Sequence, residues 1–239
     1  MKVTLPCSEC AEDSTPEQVS LELEDDGVYI VICSAGHRNT HVIANPKFEV
    51  LFELALLALL DGYTRESVAS LAASVEELLR VFAQVVLLKH GLYGDEHRDE
   101  VAKARKLLNR AEPQLGAFVL AHLMDTHRAP ELPETKWVEF RNRVIHAGEI
   151  PKREYVIAYG ERLMKFMLPL YRHRDDGIDI AIVTAEARLR AIYRRDEKPG
   201  KGTRHETAFA WSAGQRSPHP FADALKFAGE RSFLRTPGA

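Results

Sequence analysis

The spacing of apolar positions changes period along the chain. Near the N-terminus Val19, Leu21 and Leu23 alternate with polar residues, the two-residue repeat of a half-buried strand. Asp25-Asp26-Gly27 supplies a turn, with Gly27 free to take positive φ, and Val28–Ile32 reads as a β-rich return strand. The pattern predicts a hairpin over 19–32 and a further short strand at 41–43. From residue 45 to about residue 173 the period becomes helical. Pro46 suits a first helical turn with Asn45 as its cap, and Phe48, Leu51, Phe52, Ala55, Leu56 and Leu59 recur at helical spacing. Thr64 caps a long second helix to about residue 90, striped by Val68, Leu71, Val75, Leu78, Leu79, Phe82 and Val85.

A weaker, charged helix is expected over about 95–110. Another opens at Pro113, with Leu115, Phe118, Val119 and Leu123 facing inward. Further helices are predicted over 134–146 and from Pro151 to about residue 172, the last bearing Val156, Tyr159, Leu163, Phe166, Met167 and Leu170. Short connections make these antiparallel neighbours. The fold class is therefore mostly α, an antiparallel helical bundle with a small N-terminal β-hairpin. Beyond it, a helix with a basic end is expected at 178–193, a flexible Gly/basic linker at 198–204, and a short amphipathic helix over 221–233. Three units follow: 1–44, 45–175 and 176–239.

Composition narrows the picture. Apolar residues make up 45% of the 239, enough for a sizeable core. A net charge of −3 is too mild to draw in nucleic acid or a membrane through the overall field, though a local basic site stays open. The longest apolar run, 50–60, contains Glu53 and is too short to cross a bilayer. The start, MKVTLPCSEC, lacks a signal-peptide apolar stretch. A soluble cytoplasmic protein without a membrane partner is expected.

The three cysteines have metal-site spacing. Cys7-Ser-Glu-Cys10 is a CxxC pair, and Cys33-Ser-Ala-Gly-His37 follows 22 residues later. Three thiolates and an imidazole make a closed tetrahedral set for a structural zinc ion. A hairpin this small buries too little apolar surface to fold alone, so the metal supplies much of its folding energy. His41 is the rival fourth ligand. His37 is preferred because a ligand a few residues after Cys33 fits one loop. The plainer alternative is three unpaired thiols and a chance histidine.

The segment Trp137-Val-Glu-Phe-Arg141-Asn142-Arg143-Val-Ile-His146-Ala-Gly-Glu-Ile-Pro151 carries the other candidate chemistry. An Arg followed by a polar residue, then a His after four intervening residues, ahead of a long amphipathic helix, resembles the HEPN family of RNA-cleaving proteins. The resemblance covers the bundle and not residues 176–239. It implies metal-independent RNA cleavage by Arg141, Asn142 and His146 in a cleft shared by two copies. Toxin or phage-defence roles, sometimes with a neutralising or regulatory protein partner, are also implied. The chemistry suits the residues. Histidine changes charge near neutral pH, and the guanidinium fork matches phosphate oxygens. On a regular helix Arg141 and His146 diverge by roughly 140°, so one copy converges poorly.

Plainer readings stand beside this one. Arg141 and Arg143 also read, less favourably, as solvated cations, and His146 as a helix-ending residue. Glu76 and Glu77 of the second helix can face the motif and position it, but such residues are more often a solvated edge. Lys89, His90, His122 and His127 read as structural. Two functional alternatives remain at this stage: a non-catalytic nucleotide-, RNA- or protein-binding module, and a zinc-hairpin adaptor whose helices only dimerise.

Overall fold

The computed structural model describes residues 1–10, 16–91, 99–100, 103, 111–172, 201–215 and 217–234. In the N-terminal part, β1 (Lys2–Pro6) pairs antiparallel with β2 (Gln18–Glu22), and β3 (Val28–Ile32) with β4 (Arg38–Ile43). The hairpin expected over 19–32 is thus replaced by two hairpins. The reason lies in register. Val3 faces Leu21 and Leu5 faces Val19, so β1 offers β2 an apolar match that β3 spends on β4. The Asp25-Asp26-Gly27 turn forms with Gly27 at φ 67°, but it joins two sheets rather than two strands of one. The short strand foreseen at 41–43 is the end of β4.

The inner faces of both sheets close on one side of α1 (Lys47–Leu60). Val3, Leu5, Tyr29, Val31 and Ile43 pack there with Leu57. On its other side α1 joins the bundle. α2 (Thr64–Lys89) packs against α1, α3 (Ala111–Thr126), α4 (Thr135–His146) and α5 (Arg153–Arg172). Val68, Leu71, Leu78, Leu79, Phe82 and Val85 of α2 are buried, as their spacing predicts. α3 departs from expectation. Phe118 is buried, but Leu115 and Leu123 are exposed. Its inner face uses Phe118 and Ala121, with His122 stacked at 5.8 Å from Phe82. Among the described residues, 99–100 and 103 are helical. The rest of the helix expected over 95–110, the helix expected over 178–193 and the chain end lie outside the described residues.

The linker expected over 198–204 is not one where it is described. Residues Lys201–Thr203 form β5, which adds parallel to β4 with His41 opposite Lys201 and Ile43 opposite Thr203. Asn45, expected to cap α1, instead holds the backbone of residue 205 at both ends. Its Oδ1 accepts from the His205 N–H at 2.8 Å and its Nδ2 donates to the His205 carbonyl at 2.8 Å. A side chain that mimics a strand here satisfies backbone groups left at the end of β5. Glu49 and Glu53, one and two turns further along α1, continue this buried polar ridge. Glu49 Oε2 accepts from Asn45 Nδ2 at 3.0 Å and from Thr207 Oγ1 at 3.1 Å. Glu53 Oε2 accepts from the Ala208 N–H at 2.9 Å, at the start of α6 (Ala208–Gly214).

Burial pushes both carboxyls above their ordinary values. Helix α6, absent from the sequence expectations, and α7 (Pro220–Arg231), foreseen as an amphipathic helix, then complete the bundle core. Phe209 packs edge-on to Phe48, Phe52 and Tyr171. Phe221 lies so close over Gly160 that a Cβ there would meet its ring at 2.3 Å. Only glycine fits at that crossing.

Candidate metal centre and catalytic motif

Cys7 and Cys10 sit in the turn that leaves β1. Cys33 closes β3, and His37 stands in the turn that opens β4. The second turn is built by the Gly36 N–H bonding to the Cys33 carbonyl at 2.9 Å and the Cys33 N–H to the His37 carbonyl at 3.2 Å. Gly36 takes φ 83°, a conformation that side chains disfavour. Glu17 braces the same turn by accepting from the Ser34 N–H at 2.9 Å, and those bonds hold its carboxyl below the ordinary value. Two tight turns from separate hairpins thus face each other.

The four ligand atoms lie within 4.8 Å of one another. Cys10 Sγ and Cys33 Sγ are 3.7 Å apart, and His37 Nδ1 is 3.4 Å from Cys10 Sγ and 3.9 Å from Cys7 Sγ. A tetrahedral ion with Zn–S near 2.3 Å and Zn–N near 2.05 Å would set sulfurs about 3.8 Å apart and sulfur to nitrogen about 3.5 Å. The cluster therefore has the size and donor set of a metal site. His37 offers Nδ1 to the cluster and turns Nε2 toward Glu9 at 4.0 Å, the outer partner that metal-binding imidazoles commonly have. Asn39 Nδ2 donates to Cys7 Sγ at 3.3 Å, and Ser8 bonds Asn39 in turn.

Cys7 is lowered to about 7, chiefly by the Cys10 backbone N–H, and Cys10 is raised to about 12, chiefly by its bond to Cys7. His41, the rival ligand, is fully buried in β4, with Nδ1 3.4 Å from Thr203 Oγ1.

The Arg-His motif lies on α4, whose core face is Phe140 and Val144. Gly148 at φ 74° ends the helix, and the Glu149 N–H returns to the Arg143 carbonyl at 3.1 Å. Arg141 reaches sideways to α2, where its Nη2 meets Glu76 Oε1 at 2.6 Å. Its Nη1 donates to Asn142 Oδ1 at 3.3 Å. Below them Tyr159 packs on Phe140 at 5.3 Å, and burial pushes its hydroxyl above the ordinary value. Arg143 pairs with Glu149 at 2.8 Å, away from Arg141. His146 is exposed at the end of α4, and its ring makes no hydrogen bond or ion pair among the described residues.

Sequence reasoning left Glu76 out of the site, and the structure pairs it with Arg141. Glu77 takes the edge role, paired with Arg80. α4 is regular from Thr135 to His146, so Arg141 and His146 keep the divergent directions that helical geometry requires. Lys89 pairs with Asp125 across α2 and α3 at 2.9 Å, and His122 accepts or donates locally within α3. No helix among the described residues is long and apolar enough to cross a membrane. Comparison with protein-family models, curated proteins and solved structures finds no match to this chain.

Proposed function

We propose that the chain is a metal-independent endoribonuclease of HEPN type that acts as a homodimer, with zinc pinning its N-terminal module. The observation that carries the reading is the contrast between Arg141 and His146. Arg141 is oriented by a carboxylate from another helix, while His146 stands exposed and unengaged on the same helix. An exposed imidazole and an oriented guanidinium are the groups that phosphate chemistry needs. In the shared cleft, the RNA 2′-hydroxyl attacks the adjacent phosphorus and the 5′-oxygen leaves, giving a 2′,3′-cyclic phosphate. His146 moves the proton, Arg141 binds the non-bridging oxygens, and Asn142 orients the pair. Because the two side chains diverge on one helix, both copies are needed to build the shared cleft. A toxin or phage-defence role under a neutralising protein fits such an enzyme.

The metal is zinc on this reading, since three thiolates and one imidazole in a closed set suit that ion and leave no open position for chemistry. One observation favours a second reading. The Arg141 charge is already matched by Glu76, which suits a module that binds nucleotide or RNA without cutting it.

The test uses purified protein, a single-stranded RNA and excess chelator in a buffer without divalent ions. Cleavage is expected, with cyclic phosphate ends, and His146→Ala should abolish it. Cutting that survives in His146→Ala removes His146 from the chemistry. Mixing Arg141→Ala with His146→Ala should restore part of the activity, because mixed dimers keep one Arg141 and one His146.

A further inference from the structure

The three-thiol cluster has a property beyond metal retention. We propose that it is a peroxide-responsive site in which Cys10 and Cys33 form a disulfide and zinc is expelled. This rests on the metal reading above and not on the RNA-cleaving one.

The cluster is asymmetric. Cys7 and Cys33 are buried, while Cys10 and His37 form its partly exposed rim. Cys7 is also held by the Asn39 amide, which donates to its sulfur and withdraws electron density from it. Cys10 is therefore the thiolate that a small oxidant reaches first. Cys33 Sγ, 3.7 Å away on the opposite turn, is placed to resolve it. The sulfurs must close by about 1.7 Å to reach bonding distance, and each sits in a short turn.

The chemistry balances with hydrogen peroxide as oxidant. The Cys10 thiolate attacks the O–O bond, an S–O bond forms, and hydroxide leaves as water after taking a proton. The Cys33 thiolate then attacks the Cys10 sulfur, the S–S bond forms, and the S–O bond breaks to release a second water. Two sulfurs lose two electrons and the peroxide gains them. Zinc loses two of four ligands and departs.

The structure also gives the change a route outward. Cys33 ends β3, and β4 begins at the residue after His37. β4 holds β5 in register, and the Ala44 N–H bonds the Thr203 carbonyl at 2.8 Å. Loosening the turn that starts β4 therefore weakens the hold on residues 201–203.

The experiment treats full-length, zinc-loaded protein with stoichiometric hydrogen peroxide. Zinc release is followed with a chromogenic chelator, disulfides by peptide mass mapping after thiol blocking, and backbone exchange at 201–208 by deuterium uptake. The expected result is one zinc released per chain, a Cys10–Cys33 linkage reversed by a thiol reductant, and exchange at 201–203 faster by on the order of tenfold. Zinc retained under excess peroxide, or a linkage through Cys7, overturns the proposal while leaving the metal site intact. A protein that neither carries nor takes up zinc overturns the metal reading and this proposal together.

Discussion

The Cys/His cluster and the Arg-His motif are built in opposite ways. The four sulfur and nitrogen ligands come from two tight turns, each closing on itself, and the turns meet across two hairpins. Reversal of the chain lets residues three or four apart point at one spot. The motif residues lie on one straight helix, where residues five apart point in different directions. Arg141 finds its partner on α2 instead, and His146 finds none among the described residues. The turn-built cluster gathers its four groups within one chain, whereas the helix-borne Arg141 and His146 stay apart.

The sharpest way to break this comparison is at the cluster. Cys10→Ser should lose the bound metal entirely, measured by native mass spectrometry, and expose the amides of residues 1–44 to exchange. Binding energies of about 10–16 kcal/mol for structural zinc in small modules set the scale of that loss. Far-UV circular dichroism should show α2 to α5 retained, since their core lies on the side of α1 away from the sheets. If metal content is unchanged, the four-ligand assignment is wrong.

The next effect concerns the buried ridge on α1. The carboxyls of Glu49 and Glu53 are raised by burial, so the folded state favours their neutral form. Their favourable contribution is full below the ordinary carboxylate range and is lost as pH rises through the raised values. Glu49→Gln should flatten the fall in stability toward alkaline pH, by up to about 1.4 kcal/mol per pH unit across that window. Urea melts from pH 5 to 9 measure it, and a slope identical to wild type refutes the assignment.

The smallest stability effect is expected at the motif. Glu76→Gln breaks a partly exposed ion pair and should cost less than about 1 kcal/mol. On the proposed RNA-cleaving reading, cleavage should nevertheless fall, because Arg141 is no longer aimed. An unchanged cleavage rate with unchanged stability would make the Glu76–Arg141 pair a surface decoration.

Some of this was legible in the sequence. CxxC and CxxxH are short-range patterns, and turns realise them locally, so Cys7, Cys10, Cys33 and His37 could be named from spacing. The α2 and α5 stripes were legible because long amphipathic helices carry many periodic positions. Strand pairing was not. β1 signals itself only by Val3 and Leu5, and β5 reads Lys-Gly-Thr, with no alternation to announce a strand. Its partner β4 lies about 160 residues away, so nothing local could reveal the match. Glu49 and Glu53 look like a solvated helix edge until Thr207 and Ala208 are seen against them. Glu76 was visible as a candidate, but only tertiary contact separates it from Glu77.

The parallel addition of β5 to β4 has a consequence for how the protein is made. The two hairpins and α1 leave the ribosome well before residues 201–234, yet Phe233 and Leu234 also pack into their core. At 5–20 residues per second, roughly 10–40 s separate synthesis of Asn45 from arrival of those last partners. During that interval the open β4 edge and the acidic ridge of α1 stand uncovered on the nascent chain. A segment translated ahead of its partners is therefore finished only when they arrive.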